Sequence, residues 1–225
     1  MAWGCTHTKI DEFDYAITLG TTPGMNGWTI ADTSSSGTPT YVGTSEDGGS
    51  VKLSIVNTNE AEIVTLYQND IVNYDLTDIS NCWWVAKVSG IDSTTTLVMG
   101  VGSARNDTDD SVATNAWFRM EGGTSTTALV VETDDGTNDN NDKATGTTLA
   151  ATYKRLLIDF SQGLSDVRFY VDGARVASGT TFDMSDVSSG TNVQPIVQIQ
   201  KSGGTGTPAV QLAQWGITYR TSYGD

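Results

Sequence analysis

Residues 167–179 read V-R-F-Y-V-D-G-A-R-V-A-S-G, and this stretch predicts two short strands joined by Asp172 and Gly173. A two-residue Asp-Gly connection suits a type I′ turn, in which both central residues have positive φ. The pairs that such a turn creates are Phe169–Val176, Tyr170–Arg175 and Val171–Ala174. One face of the hairpin is then apolar, with Phe169, Val171, Ala174 and Val176. A slip of one residue would move Phe169 into water, so the pattern specifies its own register.

The rest of the chain repeats this alternation in about a dozen short segments separated by turn signals, and none has sustained helical periodicity. Pro195, in V-Q-P-I-V-Q-I-Q, suggests an edge position or a strand start. In the last predicted strand the apolar parity shifts between Leu212 and Trp215, which predicts a β-bulge near Ala213 and Gln214. We expect one domain over residues 26–225, preceded by a segment, residues 1–25, that forms a first strand or an arm on a neighbouring subunit.

Three segments resemble the concanavalin A-like and laminin-G-like jelly rolls. They are Y-K-R-L-L-I-D-F at residues 153–160, the hairpin itself, and L-A-Q-W-G-I-T-Y-R at residues 212–220. A further segment, N-A-W-F-R-M-E at residues 115–121, is similar to a strand of versions encoded by tailed bacteriophages. The resemblance runs from Trp83 to Arg220 and implies an all-β, concanavalin A-like jelly-roll β-sandwich of two antiparallel sheets. This superfamily includes lectins, glycoside hydrolases, adhesion modules and virion proteins, so the fold does not imply a function.

The net charge is the sharpest feature of the composition. With 12 Lys and Arg against 27 Asp and Glu, the chain carries −15, which opposes binding to nucleic acids and to anionic membranes. Cys5 and Cys82 form no disulfide framework and match no zinc spacing, so two reduced thiols are favoured over one bond. The N-terminus has no basic segment followed by an apolar run, so we expect synthesis in the cytoplasm without a signal peptide.

The signature of a glycosidase is missing from the sequence. Glycosidases of this fold have two Glu flanking an Asp on one strand, and no E-x-D-x-E or E-x-D-x-x-E occurs here. Glu60 and Glu62 flank an alanine, and a solvated strand face is the simpler interpretation. Glu121 and Glu132 end separate predicted strands, and nothing in the sequence brings them together. We therefore expect no enzyme and assign no catalytic residue.

Other site chemistries are weakly represented. The only histidine, His7, shares a strand face with Cys5 in a terminal segment, which is a poor place to organise nucleophilic catalysis. Loop oxygens for calcium, which the resemblance implies, are Asp134, Asp135, Asn138, Asp139 and Asp142, with Asp107, Asp109 and Asp110 in a second acidic loop. Gly136 falls too early for an EF-hand, and acidic loops in so acidic a chain are usually solvated. We assign no metal ligand and no cofactor.

Strand tryptophans are the remaining candidates for a binding surface, because aromatic rings stack on sugars. They are Trp83, Trp84, Trp117 and Trp215. Trp83 and Trp84 must point to opposite faces, so one of them is exposed or is covered by another element. Core packing is the commoner role of a strand tryptophan.

Together these features predict a non-enzymatic virion structural protein, namely a capsid decoration (cement) subunit that bridges capsomers on the outer surface of a tailed-phage head. Its partner would be the major capsid protein, and the subunit would form a homo-oligomer, with a trimer favoured and residues 1–15 as the arm. The alternative is a carbohydrate-binding module or a tail-associated receptor-binding protein, with an exposed Trp or Tyr cluster beside the acidic loops. A glycoside hydrolase with an unusual acid pair is the third hypothesis.

Overall fold

The computed structural model describes residues 4–13, 19–69 and 71–222, and these residues form a sandwich of two eight-stranded antiparallel sheets. The strands are β1 (Gly4–Asp11), β2 (Thr29–Asp32), β3 (Thr40–Thr44), β4 (Ser50–Ser54), β5 (Glu62–Tyr67), β6 (Tyr74–Asp75), β7 (Ile79–Ser89), β8 (Thr95–Gly102), β9 (Asn115–Glu121), β10 (Ala128–Asp134), β11 (Asp139–Thr148), β12 (Lys154–Asp159), β13 (Arg168–Val171), β14 (Ala174–Val176), β15 (Asn192–Lys201) and β16 (Ala209–Ser222). Its helices are single 3-10 turns: Met25–Gly27, Leu76–Asp78, Asp109–Ser111 and Leu164–Asp166.

The two sheets have different strand orders. Sheet A runs β14-β13-β12-β7-β16-β4-β3, and β1 pairs with β16 from Trp215 to Ser222. Sheet B runs β11-β10-β9-β8-β15-β5-β2, and β6 pairs with the start of β15. This architecture confirms the predicted all-β jelly-roll sandwich.

The hairpin of β13 and β14 has the predicted register, with Phe169 opposite Val176 and Val171 opposite Ala174. The turn residues Asp172 and Gly173 have φ of 50° and 83°, as a type I′ turn requires. Phe169, Val171 and Val176 are buried, whereas Ala174 is exposed because it lies beside the turn on the edge strand.

Two local features of sheet strands were also predicted. The register of β16 against β7 shifts between Leu212 and Gln214, which confirms the bulge. Pro195 does not lie on an edge strand, because β15 lies inside sheet B between β8 and β5. It is tolerated there because it falls after the β6 pairing, which ends at Val193, and before the β5 pairing, which begins at Ile196.

The core lies between the inner faces of the two sheets and is rich in aromatic rings. Phe118 of sheet B meets Phe169 of sheet A edge to face at 5.3 Å, and Trp28 meets Trp215 in the same manner at 5.3 Å. All four side chains are almost completely buried. Burial of each such side chain contributes about 2–3 kcal/mol, so these contacts fix the two sheets face to face.

The N-terminal segment is integrated into sheet A over Gly4–Asp11, which pairs along β16 from Ser222 to Trp215. The buried Asp11 carboxylate accepts hydrogen bonds from the Phe13 amide and the Trp28 indole, which anchors the end of β1. Gly4–Asp11 therefore forms the first strand that was one of the two predicted alternatives for the N-terminal segment. The rest of the proposed arm, residues 1–3 and 14–15, lies outside the described residues, and its contact with another subunit stays a prediction.

Cys5 is exposed and Cys82 is buried, and both are free thiols. Within the described ranges, no helix is long and apolar enough to cross a membrane.

Candidate functional site

The outer face of sheet B carries side chains in straight rows across the strands. Pairing of β5, β15, β8 and β9 places Ile63, Gln200, Thr96 and Glu121 directly opposite one another in one such row. The next row contains Thr65, Gln198, Val98 and Arg119. Both rows point away from the core, because the intervening residues are inward and buried.

Two depressions meet at Glu121 and together form a feature that we call the trough. The larger, of ≈ 410 Å³, is lined by Ala61, Ile63, Ser93, Thr94, Thr95, Thr96, Glu121, Gly123, Gln200, Lys201 and Ser202. The smaller, of ≈ 280 Å³, is lined by Glu121, Thr124, Ser125, Ala128, Val130, Asp142 and Ala144. These residues come from β5, β15, β8, β9, β10 and β11 and from the loops at their ends, so the trough runs across the strands of sheet B.

The other end of this face is covered by residues 103–114, which connect β8 to β9 and which we call the covering loop. Its Val112 packs with Val98 and Trp117 of the sheet. Its Arg105 reaches across to the hydroxyls of Thr65, at 3.4 Å, and Thr33, at 2.8 Å. The loop therefore covers the row of Thr65, Gln198, Val98 and Arg119 and leaves the row that ends at Glu121 open to solvent.

Arg119 lies at the boundary between the trough and the covering loop, and its guanidinium is only 6% exposed. Five carboxylates surround it: Asp109 at 3.5 Å, Asp110 at 2.6 Å, Glu121 at 2.5 Å, Glu132 at 3.0 Å and Asp142 at 3.7 Å. They come from the covering loop, β9, β10 and β11, so one guanidinium links four elements.

This arrangement shifts the pKa values of several groups. Burial raises the pKa of Glu132 to about 7, although Arg119 partly offsets the effect. Burial also raises the pKa values of Asp109 and Glu121, again against the attraction of Arg119. Burial by itself would lower the pKa of Arg119. The carboxylates of Asp109 and Glu132 raise this pKa by more than burial lowers it, so the guanidinium stays charged.

Several buried polar atoms near Arg119 lack a hydrogen-bond partner among the described residues. They are Asp109 Oδ2, Asn115 Oδ1, Trp117 Nε1 and Arg119 Nε. Buried polar groups ordinarily bond to protein, water or ligand atoms. The interface between the covering loop and the sheet therefore combines a small apolar cluster of Val98, Val112 and Trp117 with buried polar groups around Arg119.

The prediction that Glu62 lies on a solvated face is wrong. Glu62 is completely buried and forms an ion pair of 3.1 Å with Lys201, which is also fully buried. The Lys201 ammonium donates to the backbone oxygens of Val56 and Thr58 at 2.5 Å each. The charge is hidden because loop carbonyls and an acid replace its water. Glu60, its neighbour in the sequence pattern, is half-buried.

His7 and Cys5 share one face of β1, as expected. The His7 ring stacks on Tyr219 at 5.7 Å, and its Nε2 lies 2.9 Å from the hydroxyl of Thr221. These contacts pack the ring against β16 of sheet A, whereas the trough lies on sheet B.

The acidic segments are built into the fold. Asp135 accepts hydrogen bonds from the backbone of Thr137, Asn138 and Asp186, and these outweigh burial and lower its pKa. Asp109, Asp110 and Asp142 contact Arg119, Asp107 pairs with Arg105, and Asp139 accepts from Asn141. Among the described residues no group of three or more His, Cys, Asp or Glu is arranged to hold a metal ion.

The strand tryptophans are buried. Trp84 and Trp215 lie in the core, and Trp117 lies beneath the covering loop. Trp83 points outward from sheet A but is 6% exposed, covered by Arg155 at 5.2 Å and bonded to Gln214 at 2.9 Å. The trough is therefore lined by polar side chains together with small or aliphatic ones such as Ile63, Val130 and Ala144, and none of these four tryptophans contributes an exposed ring to it.

Sequence reasoning missed the group around Arg119, although it noted all five carboxylates: Asp109, Asp110 and Asp142 as loop acids, and Glu121 and Glu132 as an unconnected pair. The register of β9 against β10 brings them together, with Glu132 opposite Trp117, two residues from Arg119. The available signal was a charged residue at an outward position within the apolar strand N-A-W-F-R-M-E.

Comparison with known proteins gives matches only at the level of structure. No protein-family model and no curated protein sequence matches the chain significantly. A family 16 glycoside hydrolase from Bacteroides ovatus, solved with a mixed-linkage glucan product, superimposes with a TM-score of 0.66 at 9% identity over 93% of this chain and 99% of that one. A β-1,3-glucanase from Mycobacterium marinum gives 0.60 at 15% identity over 94% and 97%. The carbohydrate recognition domain of Emp47p gives 0.57 at 12% identity over 88% and 91%.

These similarities confirm the concanavalin A-like fold and overturn the predicted function. The expectation of a non-enzymatic capsid decoration protein is contradicted, because the proteins of this shape named above degrade or recognise carbohydrates and none is a virion protein. The error arose because phage-like strand motifs report the fold that many functions share. At such low identities the similarity itself shows the fold alone.

Proposed function

We propose that this protein is carbohydrate-active and binds a glycan chain along the trough. The main observation behind the proposal is the open row of Gln200, Thr96 and Glu121, which presents hydrogen-bonding groups across the strands while the next row is buried beneath the covering loop. Concave sites with a few well-placed polar groups are the usual form of ligand sites.

The dimensions of the trough support an extended ligand. Three interstrand spacings of about 4.8 Å make the row from Ile63 to Glu121 roughly 14 Å long, and β10 and β11 lengthen it further. Glu121 accepts hydrogen bonds, whereas Gln200 and Thr96 both donate and accept, which matches the alternating hydroxyl groups of a sugar chain. The structural similarity to glucan-degrading enzymes and to a carbohydrate recognition domain supports the same ligand class.

The test is titration calorimetry with neutral gluco-oligosaccharides of β-1,3, β-1,4 and mixed linkage. We expect at least one to bind, and Thr96→Val to weaken it by roughly three- to tenfold, the value of one hydrogen bond between uncharged groups. Thr218→Val is the matched control, because Thr218 faces outward on β16 of the opposite sheet. Equal losses in the two variants, or no binding by any linkage, would refute the proposal.

A further inference from the structure

The charged side chains around the trough fall into two groups. The carboxylates are partly exposed to solvent, and the cations are buried. The side chains of Glu121 and Asp142 are 35% and 41% exposed. The cations beside them, Arg119 and Lys201, are 6% and 0% exposed. A ligand in the trough therefore meets carboxylates and not the cations.

The two cations are also fully engaged. Lys201 is held beneath the floor by Glu62 and by backbone oxygens of the neighbouring loop. Arg119 faces five carboxylates, so even with Glu132 protonated the remaining four outnumber its single charge. Neither can turn toward an anionic ligand without leaving buried acids unpaired, which is costly.

Other basic residues of this region do not change the balance. Lys143 of β11 lies opposite Val131, whose side chain is in the core, so it points away from the face that carries Ala144 and Val130. Arg105 belongs to the covering loop and pairs with Asp107. The net charge of −15 adds a long-range field of the same sign.

We infer that the trough selects glycans by charge: it accepts uncharged chains, prefers chains of amino sugars whose ammonium groups pair with Glu121 and Asp142, and rejects uronate or sulfated chains. This inference rests on the proposed function, because it concerns the ligand of the same trough. It follows from the exposure of the carboxylates and the burial of both cations.

The experiment compares three oligosaccharides with one β-1,4-linked glucose-type backbone: cellohexaose, the glucosamine hexamer and an oligoglucuronate. Binding is measured by calorimetry at mildly acidic pH and low salt. We expect the glucosamine hexamer to bind roughly three- to tenfold more tightly than cellohexaose, as one or two partly exposed ion pairs allow. The oligoglucuronate should bind at least tenfold more weakly, and added salt should reduce both differences.

Variants identify the groups responsible. Glu121→Gln and Asp142→Asn should each lower the ratio of glucosamine-hexamer to cellohexaose affinity, because each keeps the shape and removes a charge. Asp47→Asn is the control, since Asp47 is exposed in the turn between β3 and β4 and should leave the ratio as it is.

The possible results distinguish a failure of charge selection from a failure of glycan binding itself. Binding of cellohexaose with no preference for the amino sugar, or equal binding of the oligoglucuronate, overturns the charge selection and leaves glycan binding intact. A preference that Asp47→Asn reduces as much as the trough variants do also overturns it. Failure of all three ligands and of the neutral panel above overturns both.

Discussion

Arg119 is the residue on which the outer face of sheet B depends, because its guanidinium joins the covering loop to β9, β10 and β11. The free energy of such a cluster is a balance, since every buried charge loses water and regains only what its partners supply. Glu132 is 2% exposed, and its ionised form loses more free energy by leaving water than it regains from Arg119. Its raised pKa is the measurable consequence.

Glu132→Gln should change how stability depends on pH. The pKa of Glu132 is about 7 in the folded protein and its ordinary value is 4.5, so its contribution to stability is complete below about pH 4.5 and is lost as pH rises through about 7. Glutamine cannot ionise, so the variant should gain stability relative to the wild type across that window, by roughly 2–3 kcal/mol. Denaturant unfolding at several pH values measures this, with Asp47→Asn as the control. Parallel pH profiles for wild type and Glu132→Gln would show that burial does not perturb this carboxyl.

The sequence identifies individual acidic residues, but it does not show which cations they contact in the folded protein. Glu121, Glu132, Asp109 and Asp142 were all noted as acids, yet their meeting at one guanidinium depends on strand register and on a loop that folds back over the sheet. Glu62 illustrates the same limit, because its partner Lys201 is 139 positions away and no periodicity links the two.

Among the elements, the β13–β14 hairpin is the one that the sequence determines most completely. Its Asp-Gly turn, its alternation and its register are all local, so the pairing can be deduced without any distant contact. Strand β11 is the opposite case. Its sequence D-N-N-D-K-A-T-G-T-T has no apolar alternation, and it forms an edge strand because β10 offers it a free edge.

Gly173→Ala tests the turn. Gly173 has a φ of 83° and no atom within 4 Å of an added Cβ, so the substitution introduces backbone strain without a clash. We expect a loss of about 1–2 kcal/mol in the free energy of unfolding. Gly179→Ala is the matched control, because Gly179 also has open space around it and does not have a positive φ. Equal stability of the two variants would argue against the type I′ geometry.

The covering loop is an element whose place the sequence did not reveal. N-D-T-D-D-S at residues 106–111 has the composition of a solvated loop, yet Val112 and the acids before it fold onto the sheet. The reason is a complementary surface that only the assembled sheet presents, with Val98 and Trp117 for Val112 and Arg119 for the two acids.

For the whole molecule, the alternating strands and turn signals were sufficient for the fold but not for the function. They predicted a jelly-roll sandwich, which the two sheets confirm. The same motifs led to a virion protein, because nothing in a linear pattern distinguishes a trough that is open to ligand from a face that is covered. That distinction arises from the covering loop and from the row of Ile63, Gln200, Thr96 and Glu121.

The central claim is that a glycan lies across sheet B, and an amide NMR titration of the labelled protein with a binding gluco-oligosaccharide tests it most directly. We expect the largest shift changes on the trough segments, namely residues 61–63, 93–96, 121–130, 142–144 and 200–202. Amides of the outer face of sheet A, around Trp83 and Thr218, should remain still. Shift changes concentrated on sheet A, with the trough segments unperturbed, would contradict it.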